Sequence, residues 1–247
     1  MKTCIVIPAR LSSSRLPRKV ILPLAGKPMV QWVYEAALKV NKVNKVLVAT
    51  DSDEVFDTVV QFGGEAIMTS ADHVSGTDRI GEVAQKMPDY DVFINMQGDE
   101  PMIEPRTIQQ LVDYYLQGGT SISTLYESVS DENQLFDFNV VKLVFNKLGK
   151  VLYFSRTAIP AQRDVPFKDW LKKTNYWRHI GLYGFRRDTL YQICQLKQSG
   201  LEQSEVLEQL RWLENGYDIH AFECQNHGIG VDTQEDLERA EKKILGL

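Results

Sequence analysis

The stretch CIVIPARLSSSRLPRK (residues 4–19) passes directly from a short apolar run into a loop rich in cations and hydroxyls. Cys4–Ile7 is apolar and largely β-branched and ends at Pro8, a pattern typical of a buried strand that feeds a loop. Further strands are predicted at Lys45–Thr50, Ala66–Met68 and Val92–Met96, and helices at Pro28–Val40, Glu54–Phe62 and Asp78–Lys86. This strand–loop–helix repeat predicts an α/β protein, in which ligands bind at the carboxyl ends of the strands of a mostly parallel sheet.

The pattern changes near Thr120, where a more antiparallel region is predicted. It comprises strands Ser121–Tyr126, Val140–Asn146 and Val151–Phe154, an irregular stretch Ala161–Trp177, one helix Glu202–Asn215 stopped by Gly216, and a strand Ile219–Glu223. A last helix is predicted at Thr233–Leu245, with acidic residues in its first turn. We therefore expect one domain over residues 1–247, with an inserted subregion at approximately 120–215.

Composition excludes several classes of protein. With 247 residues, 43% hydrophobic and 25% charged, the chain is predicted to be compact rather than disordered. The net charge of −5 gives no general attraction to nucleic acid. The three cysteines lie far apart, which disfavours a disulfide framework or a zinc site. Neither a membrane-spanning stretch nor a signal peptide is recognisable, so we expect a cytoplasmic protein without membrane insertion.

The loop after the first strand carries Arg10, Arg15, Arg18 and Lys19 together with three serines. Forked guanidinium donors, a lysine charge and backbone amides suit a polyphosphate. The loop is neither a Walker A sequence nor a GxGxxG fingerprint, so those kinase, ATPase and dinucleotide classes have no support. The alternative is an ordinary solvated basic loop.

A second loop reads SGTDR (residues 75–79). Its Ser-Gly-Thr segment permits close approach of a ligand to hydroxyl donors, with Arg79 beside them. The alternative is a simple turn in which Asp78 starts the next helix. The nearby His73 is interpreted as an ordinary hydrogen-bonded histidine rather than a catalytic one.

The third loop, QGDEP (residues 97–101), places Asp99 at the end of an apolar strand beside a glycine. Such a carboxylate is a common ligand of phosphate-bound Mg²⁺, which takes one or two carboxylates plus substrate oxygens. Asp232, just before the last helix, is the best candidate for a second carboxylate. The alternative for Asp232 is a role as the N-cap of that helix.

Nine ordered sequence blocks together resemble the 3-deoxy-D-manno-octulosonate (Kdo) cytidylyltransferase family. They are IPAR-x3-SRLP-x-K (7–19), GKPM (26–29), VATD (48–51), SGTDR (75–79), QGDEP (97–101), YFSR-x2-IP (153–160), RHIGLYGFR (178–186), LEQLRWLENG (207–216) and GVDT-x-EDL (230–237). The resemblance implies a nucleotidyltransferase-type α/β fold, similar to the nucleotide-diphospho-sugar transferases. It also implies a smaller dimerisation and sugar-binding subregion, and a homodimer.

The resemblance further implies the reaction CTP + Kdo → CMP-Kdo + diphosphate, in lipopolysaccharide inner-core biosynthesis. Its Mg²⁺-assisted chemistry is the in-line attack of the sugar 2-hydroxyl on the α-phosphorus of CTP. Three roles carry over to this chain. Catalysis falls to Arg10, Lys19, Asp99 and Asp232, of which Asp99 and Asp232 hold the metal. The CTP-binding residues are Pro8, Ala9, Arg10, Arg15, Lys19, Ser75, Arg79 and Gln97. The sugar-binding residues are Gln97, Arg156, His179, Tyr183, Glu208 and Gln209.

Two departures from the family pattern bear on specificity. Many members have Gly-Lys-Pro where this chain has Arg18-Lys19-Val20, and residues 163–177 match no family motif. The alternatives within the same chemistry are activation of 8-amino-Kdo or of a nine-carbon keto acid. The alternative from a different class is a non-catalytic nucleotide-binding module.

Overall fold

The computed structural model describes residues 1–12, 16–120, 122–224, 228 and 230–246. The chain forms two compact units. Unit 1 comprises Met1–Gly119, Leu182–Cys194 and Asn226–Leu247, and unit 2 comprises Thr120–Gly181 and Gln195–Gln225. The description of the whole chain as one domain with an insertion stays a prediction.

The secondary structure follows the predicted alternation through the first half of the chain. The strands are β1 (Thr3–Pro8), β2 (Pro23–Leu24), β3 (Lys27–Pro28), β4 (Lys45–Thr50), β5 (Ala66–Met68), β6 (Val92–Asn95), β7 (Ile122–Ser128), β8 (Lys142–Phe145), β9 (Val151–Ser155), β10 (Trp177–Arg186) and β11 (Ile219–Glu223). The helices are α1 (Met29–Leu38), α2 (Asp53–Gln61), α3 (Gly76–Lys86), α4 (Pro105–Leu116), α5 (Glu132–Phe136), α6 (Trp170–Lys173), α7 (Arg187–Cys194), α8 (Gly200–Glu205), α9 (Gln209–Glu214) and α10 (Gln234–Leu245). Two 3-10 helices cover Lys19–Ile21 and Phe167–Asp169.

The sheet of unit 1 is mostly parallel, as predicted. Strand β1 lies between β4 and β6 and is parallel to both, and β5 continues the sheet parallel to β4. The carboxyl-terminal half of β10 adds antiparallel to β6, with Tyr183 opposite Asn95. Every residue of β1 is buried, as its apolar sequence requires of a central strand covered on both faces. The carboxyl ends of β1 and β6 therefore open into the first and third predicted loops.

Unit 2 has a mixed sheet pattern. Strand β7 is parallel to β11, whereas β8 is antiparallel to β9 and to the amino-terminal part of β10. The prediction of an irregular stretch at 161–177 was wrong in part, because it contains a 3-10 helix and α6. Trp170 of α6 is buried against the stacked ring of Tyr176, and this packing orders a segment that has little periodicity.

The prediction of one helix at Glu202–Asn215 was also wrong. The structure has two helices, α8 and α9, separated by residues 206–208, the first of which, Val206, is left-handed with φ of 53° and ψ of 50°. The spacing of Val206, Leu207, Leu210 and Leu213 predicts that these residues share one apolar helix face, but Val206 is 74% exposed. Gly216, with φ of 81°, ends the second helix as predicted.

Helix starts are set by local side-chain caps. Ser52 caps α2 and Ser75 caps α3, each accepting a hydrogen bond from a first-turn amide. Thr233 caps α10 in a capping box with Asp236, so the alternative role of Asp232 as an N-cap is excluded. No helix among the residues that the structure describes is long and apolar enough to cross a membrane.

Candidate functional site

A polar cavity of about 320 Å³ lies in unit 1, beyond the carboxyl ends of β1 and β6. All three predicted loops contribute to it, and so does the segment that precedes α10. The lining residues are Pro8, Arg10, Ser12, Lys19, Val20, Gly76, Gln97, Gly98, Asp99 and Asp232. The parallel sheet thus brings together residues that are more than two hundred positions apart, at the edge where such sheets bind ligands.

The cavity contains a cluster of one cation and two carboxylates. The ammonium Nζ of Lys19 lies 2.5 Å from Oδ2 of Asp99 and 2.9 Å from Oδ1 of Asp232. The Lys19 side chain is 11% exposed, whereas those of Asp99 and Asp232 are 32% and 46% exposed. The carboxylates therefore remain accessible to a ligand, whereas the more buried lysine contacts both of them from the protein side.

Burial and charge act in opposite directions on this cluster. Burial alone would lower the pKa of Lys19, but the charge of Asp99 and its hydrogen bond, helped by Asp232, raise it above the ordinary value. Burial raises the pKa of Asp99, and the neighbouring charges of Glu100 and Asp232 add to that effect against the attraction of Lys19. The lysine is consequently a fixed positive charge at neutral pH.

Backbone contacts and apolar packing fix the positions of these three groups. The amide of Val231 donates to the carbonyl of Asp99 at 2.9 Å, which joins the last segment of unit 1 to the end of β6. Leu16, three residues before Lys19, packs in the same buried cluster as Val231. The cluster of charges is thus built on a rigid apolar base.

Gly98 allows the ends of two strands to approach each other. A Cβ atom at this position would lie 3.3 Å from the carbonyl oxygen of Pro8 and 3.4 Å from Cγ1 of Val20. A side chain at this position would have to displace these neighbours by a few tenths of an ångström, so close approach favours glycine here. This contact keeps Asp99 beside the first loop.

Arg10 is oriented by a neighbouring loop. Its NH2 donates to the carbonyl of His73 at 2.6 Å, and the ring of His73 contacts Glu82 at 2.5 Å. Burial alone would raise the pKa of Glu82, but hydrogen bonds from Lys86, the Ser70 amide and His73 lower it to about 2. His73, which sequence reasoning set aside, therefore supports a predicted catalytic residue through its main chain.

Ser75 and Arg79 have mainly internal partners. The hydroxyl of Ser75 accepts from the Asp78 amide at 3.1 Å, donates to the Asp78 carboxylate at 2.9 Å and so caps α3. Arg79 is fully buried, donates to the hydroxyl of Thr69, and lies 3.4 Å from Oδ1 of Asp51. Burial lowers the pKa of this guanidinium. The CTP-binding role of both residues stays a prediction, and in this structure Arg79 is covered by protein.

The remaining predicted residues of unit 1 differ in accessibility. Pro8 and Gln97 line the cavity, and the amide of Gln97 donates to Asn95 at 3.1 Å. Ala9 is fully buried, and Tyr183 is 7% exposed in β10. Arg15 lies outside the described residues.

Four predicted sugar-binding residues lie in unit 2. The ring of His179 contacts the hydroxyl of Thr124 at 2.9 Å. Glu208 and Gln209 lie at the start of α9, where Gln209 is 6% exposed. The guanidinium of Arg156 donates to three main-chain carbonyls and is therefore already engaged within the unit. Their contact with a sugar stays a prediction.

Comparison with known proteins defines the class. The family model described as cytidylyltransferase matches residues 4–219. A solved structure of a cytidylyltransferase from Leptospira borgpetersenii has the same fold, with a TM-score of 0.66 at 17% identity, and covers all of this chain and 88% of the other. Fold and family model together make this chain a nucleotidyltransferase of the cytidylyltransferase class.

Two curated relatives are 3-deoxy-manno-octulosonate cytidylyltransferases. The protein of Saccharophagus degradans is 47% identical over 254 residues and that of Parabacteroides distasonis 45% over 245, covering 99% and 97% of both chains. A solved CMP:2-keto-3-deoxy-manno-octonic acid synthetase complexed with CTP is 44% identical, with a TM-score of 0.93, covering 100% of this chain and 99% of the other. The chain belongs to the 3-deoxy-manno-octulosonate cytidylyltransferase family.

Proposed function

We propose that this protein transfers the CMP group of CTP to 3-deoxy-manno-octulosonate and releases diphosphate, activating the sugar for lipopolysaccharide inner-core biosynthesis. The observation that carries the proposal is the cluster of Lys19, Asp99 and Asp232 in a cavity at the carboxyl ends of a parallel sheet. The activity in the relatives' names and the CTP in the similar solved structure support it.

The transfer is a displacement at phosphorus. The sugar 2-hydroxyl oxygen forms a bond to the α-phosphorus, the bond from that phosphorus to the bridging oxygen of the β-phosphate breaks, and the hydroxyl proton passes to solvent. Negative charge spreads over the phosphoryl oxygens in this transition state, so positioned cations provide most of the stabilisation. Arg10 and Lys19, both at the cavity wall, are the described cations placed for that role.

The donor set of Asp99 and Asp232 fits a magnesium ion. Among the described residues, no group of three or more His, Cys, Asp or Glu side chains could hold a metal alone. Two carboxylates completed by phosphate oxygens are the usual arrangement for Mg²⁺. Asp99 and Asp232 would hold the ion, which when bound neutralises phosphate charge and lowers the pKa of the attacking hydroxyl. Lys19 contacts both carboxylates and orients them.

The proposal also covers the sugar substrate, the oligomeric state and the cellular location of the protein. Gln97, Arg156, His179, Tyr183, Glu208 and Gln209 provide the amide, imidazole, hydroxyl, carboxylate and guanidinium groups that suit a polyhydroxylated keto acid. 8-Amino-Kdo and a nine-carbon acid remain the alternative substrates. A homodimer and a cytoplasmic location are further parts of the proposal, taken from the family resemblance and the sequence.

The test is diphosphate release with Mg²⁺, comparing CTP, ATP, GTP and UTP in the presence and absence of Kdo. We expect release that is selective for CTP and dependent on Kdo. Turnover only with another keto-acid sugar would retain the chemistry and overturn the substrate. If no sugar gave diphosphate release but the protein still bound nucleotide, the result would favour the alternative of a non-catalytic nucleotide-binding module.

A matched pair of carboxylate variants locates the activity. Asp99→Asn should abolish most of the release, because it removes one charge from the cavity cluster. Asp188→Asn is the control, since Asp188 belongs to the same unit but its side chain is 80% exposed on α7. Equal effects of the two substitutions would contradict the role of Asp99.

A further inference from the structure

Residues 206–208 form the corner between α8 and α9, and the backbone conformation there differs from the one that the sequence favours. The apolar spacing over residues 202–215 predicts a continuous helix, yet Val206 adopts a left-handed conformation with φ of 53°. For a β-branched residue this conformation is a genuine outlier, and it persists only where the surroundings enforce it. The side chain of Val206 is 74% exposed, so its own packing does not enforce it.

Hydrogen bonds from the end of β9 hold the corner. The carboxylate of Glu205 accepts from the hydroxyl of Ser155 at 2.7 Å and from the Arg156 amide at 2.9 Å. In return, the Arg156 guanidinium donates to the carbonyls of Glu205 at 2.6 Å and Val206 at 3.1 Å. The Arg156 guanidinium therefore holds the main chain at Glu205 and Val206, and the Glu205 carboxylate ties the same corner to the end of β9.

Arg156, directly after β9, is itself held in place by hydrogen bonds within unit 2. Lys142 is fully buried and donates to the Arg156 carbonyl at 2.6 Å and to the carbonyls of Asp137 and Val140. Arg156 also donates to the carbonyl of Phe138 at 2.9 Å. These contacts give the corner a rigid reference within unit 2.

The corner determines where the next residues lie. Glu208 and Gln209, two and three positions after Val206, open α9. If Val206 relaxed to a right-handed helical conformation, α8 and α9 would tend to join and the first turn of α9 would be reoriented. Both residues belong to the proposed sugar-binding set.

We propose that Glu205 is a positioning residue for sugar binding, because its hydrogen bonds to β9 hold the left-handed corner that orients Glu208 and Gln209. The inference rests on the proposed function and deepens it on the sugar side. It also gives Arg156 a main-chain role that is distinct from direct contact with the sugar carboxylate.

The first experiment separates the two substrates. Glu205→Ala is compared with the wild type for the KM of Kdo at saturating CTP and the KM of CTP at saturating Kdo. We expect the sugar KM to rise about tenfold or more, since small displacements of positioning groups have effects of that order. The CTP KM should stay within about twofold. Glu214→Gln is the control, because Glu214 accepts from the Leu201 amide at the start of α8, whereas Glu205 is the last residue of that helix.

The second experiment asks whether the backbone conformation carries the effect. Glycine adopts the left-handed conformation without steric cost, so the double variant Glu205→Ala/Val206→Gly should recover most of the sugar KM. Hydrogen exchange over residues 205–210 provides a readout without catalysis. It should quicken in Glu205→Ala and slow again in the double variant.

Each outcome decides the proposal. A selective rise in sugar KM that glycine reverses supports it. An unchanged sugar KM, equal rises for both substrates, or no recovery with glycine would overturn the positioning role while leaving the proposed function intact. A wild-type protein without Kdo-dependent release would instead overturn the proposed function, and the positioning role with it.

Discussion

The buried ion pair between Glu202 and Arg211 allows a quantitative test of what holds unit 2 together. Nε and NH2 of Arg211 donate to the two carboxylate oxygens of Glu202 at 2.8 and 2.7 Å. The two side chains are only 7% and 8% exposed. Glu202→Gln keeps the shape of the side chain but leaves the buried guanidinium with only the carboxylate of Glu208, 3.8 Å away and partly exposed, as a counter-charge.

The expected loss follows from burial. Removing one partner of a buried pair costs about 3–5 kcal/mol, because the remaining charge is not solvated. For a chain of this size, each kcal/mol lowers the Tm by about 2–4 °C. The Tm of Glu202→Gln should therefore fall by roughly 6–20 °C.

Thermal unfolding followed by circular dichroism measures the effect, with an exposed pair of the same unit as control. Lys150 lies 2.6 Å from Asp218, but these side chains are 38% and 53% exposed. Asp218→Asn should cost no more than about 1 kcal/mol, since water solvates the remaining charge. If Glu202→Gln lowered the Tm no more than Asp218→Asn, the reasoning from burial would be wrong.

Three further predictions concern unit 1. Asp99→Ala should lower kcat by about 10²–10³ with little change in Tm, and a parallel collapse of Tm would show that Asp99 is mainly structural. Gly81→Ala should destabilise by up to about 2 kcal/mol, because the new Cβ would lie 2.6 Å from Sγ of Cys194, an overpacking cost of about 1–3 kcal/mol from which the helix propensity of alanine in α3 recovers about 1 kcal/mol. Gly200→Ala meets nothing within 4 Å and serves as the control, and chemical denaturation compares the two variants. The lowered pKa of Glu82 stabilises the fold above pH 4.5, and this contribution is lost as the pH falls towards 2, so the stability gap between wild type and Glu82→Gln should narrow over that window. A gap independent of pH would contradict this linkage.

Local patterns were sufficient to predict much of the fold. Lys45–Thr50, Ala66–Met68 and Ile219–Glu223 form strands with the predicted bounds, because short segments with apolar residues between turn residues carry a local strand signal. Helix α4 was not predicted, although Pro105 at its first position and a helical apolar spacing were available signals. The break at Val206 could not be predicted, since it depends on hydrogen bonds from β9 about fifty positions earlier.

The residue types of the site could be predicted from the sequence, but the hydrogen-bond and ion-pair partners of each residue could not. The three loops were expected at strand ends and Asp232 just before the last helix, and the structure places residues of all four segments at one cavity. Sequence reasoning placed Lys19 on a triphosphate and did not foresee its contacts with both carboxylates. The hydrogen bonds from Arg156 to main-chain carbonyls could not be predicted either. The sequence shows that arginine is a donor, but it does not show which acceptors the folded chain brings to it.

The sheet of unit 1 pairs strands that are far apart in the sequence, and this order affects folding during synthesis. Strand β6 pairs with β1 on one side and, on the other, with residues of β10 that are synthesised much later. At roughly 5–20 residues per second on the ribosome, that edge waits several seconds for its neighbour. An unpaired strand edge is a template for association with other chains. Asp232 is synthesised later still, so the nascent chain lacks the complete charge cluster of Lys19, Asp99 and Asp232 until that residue has been added.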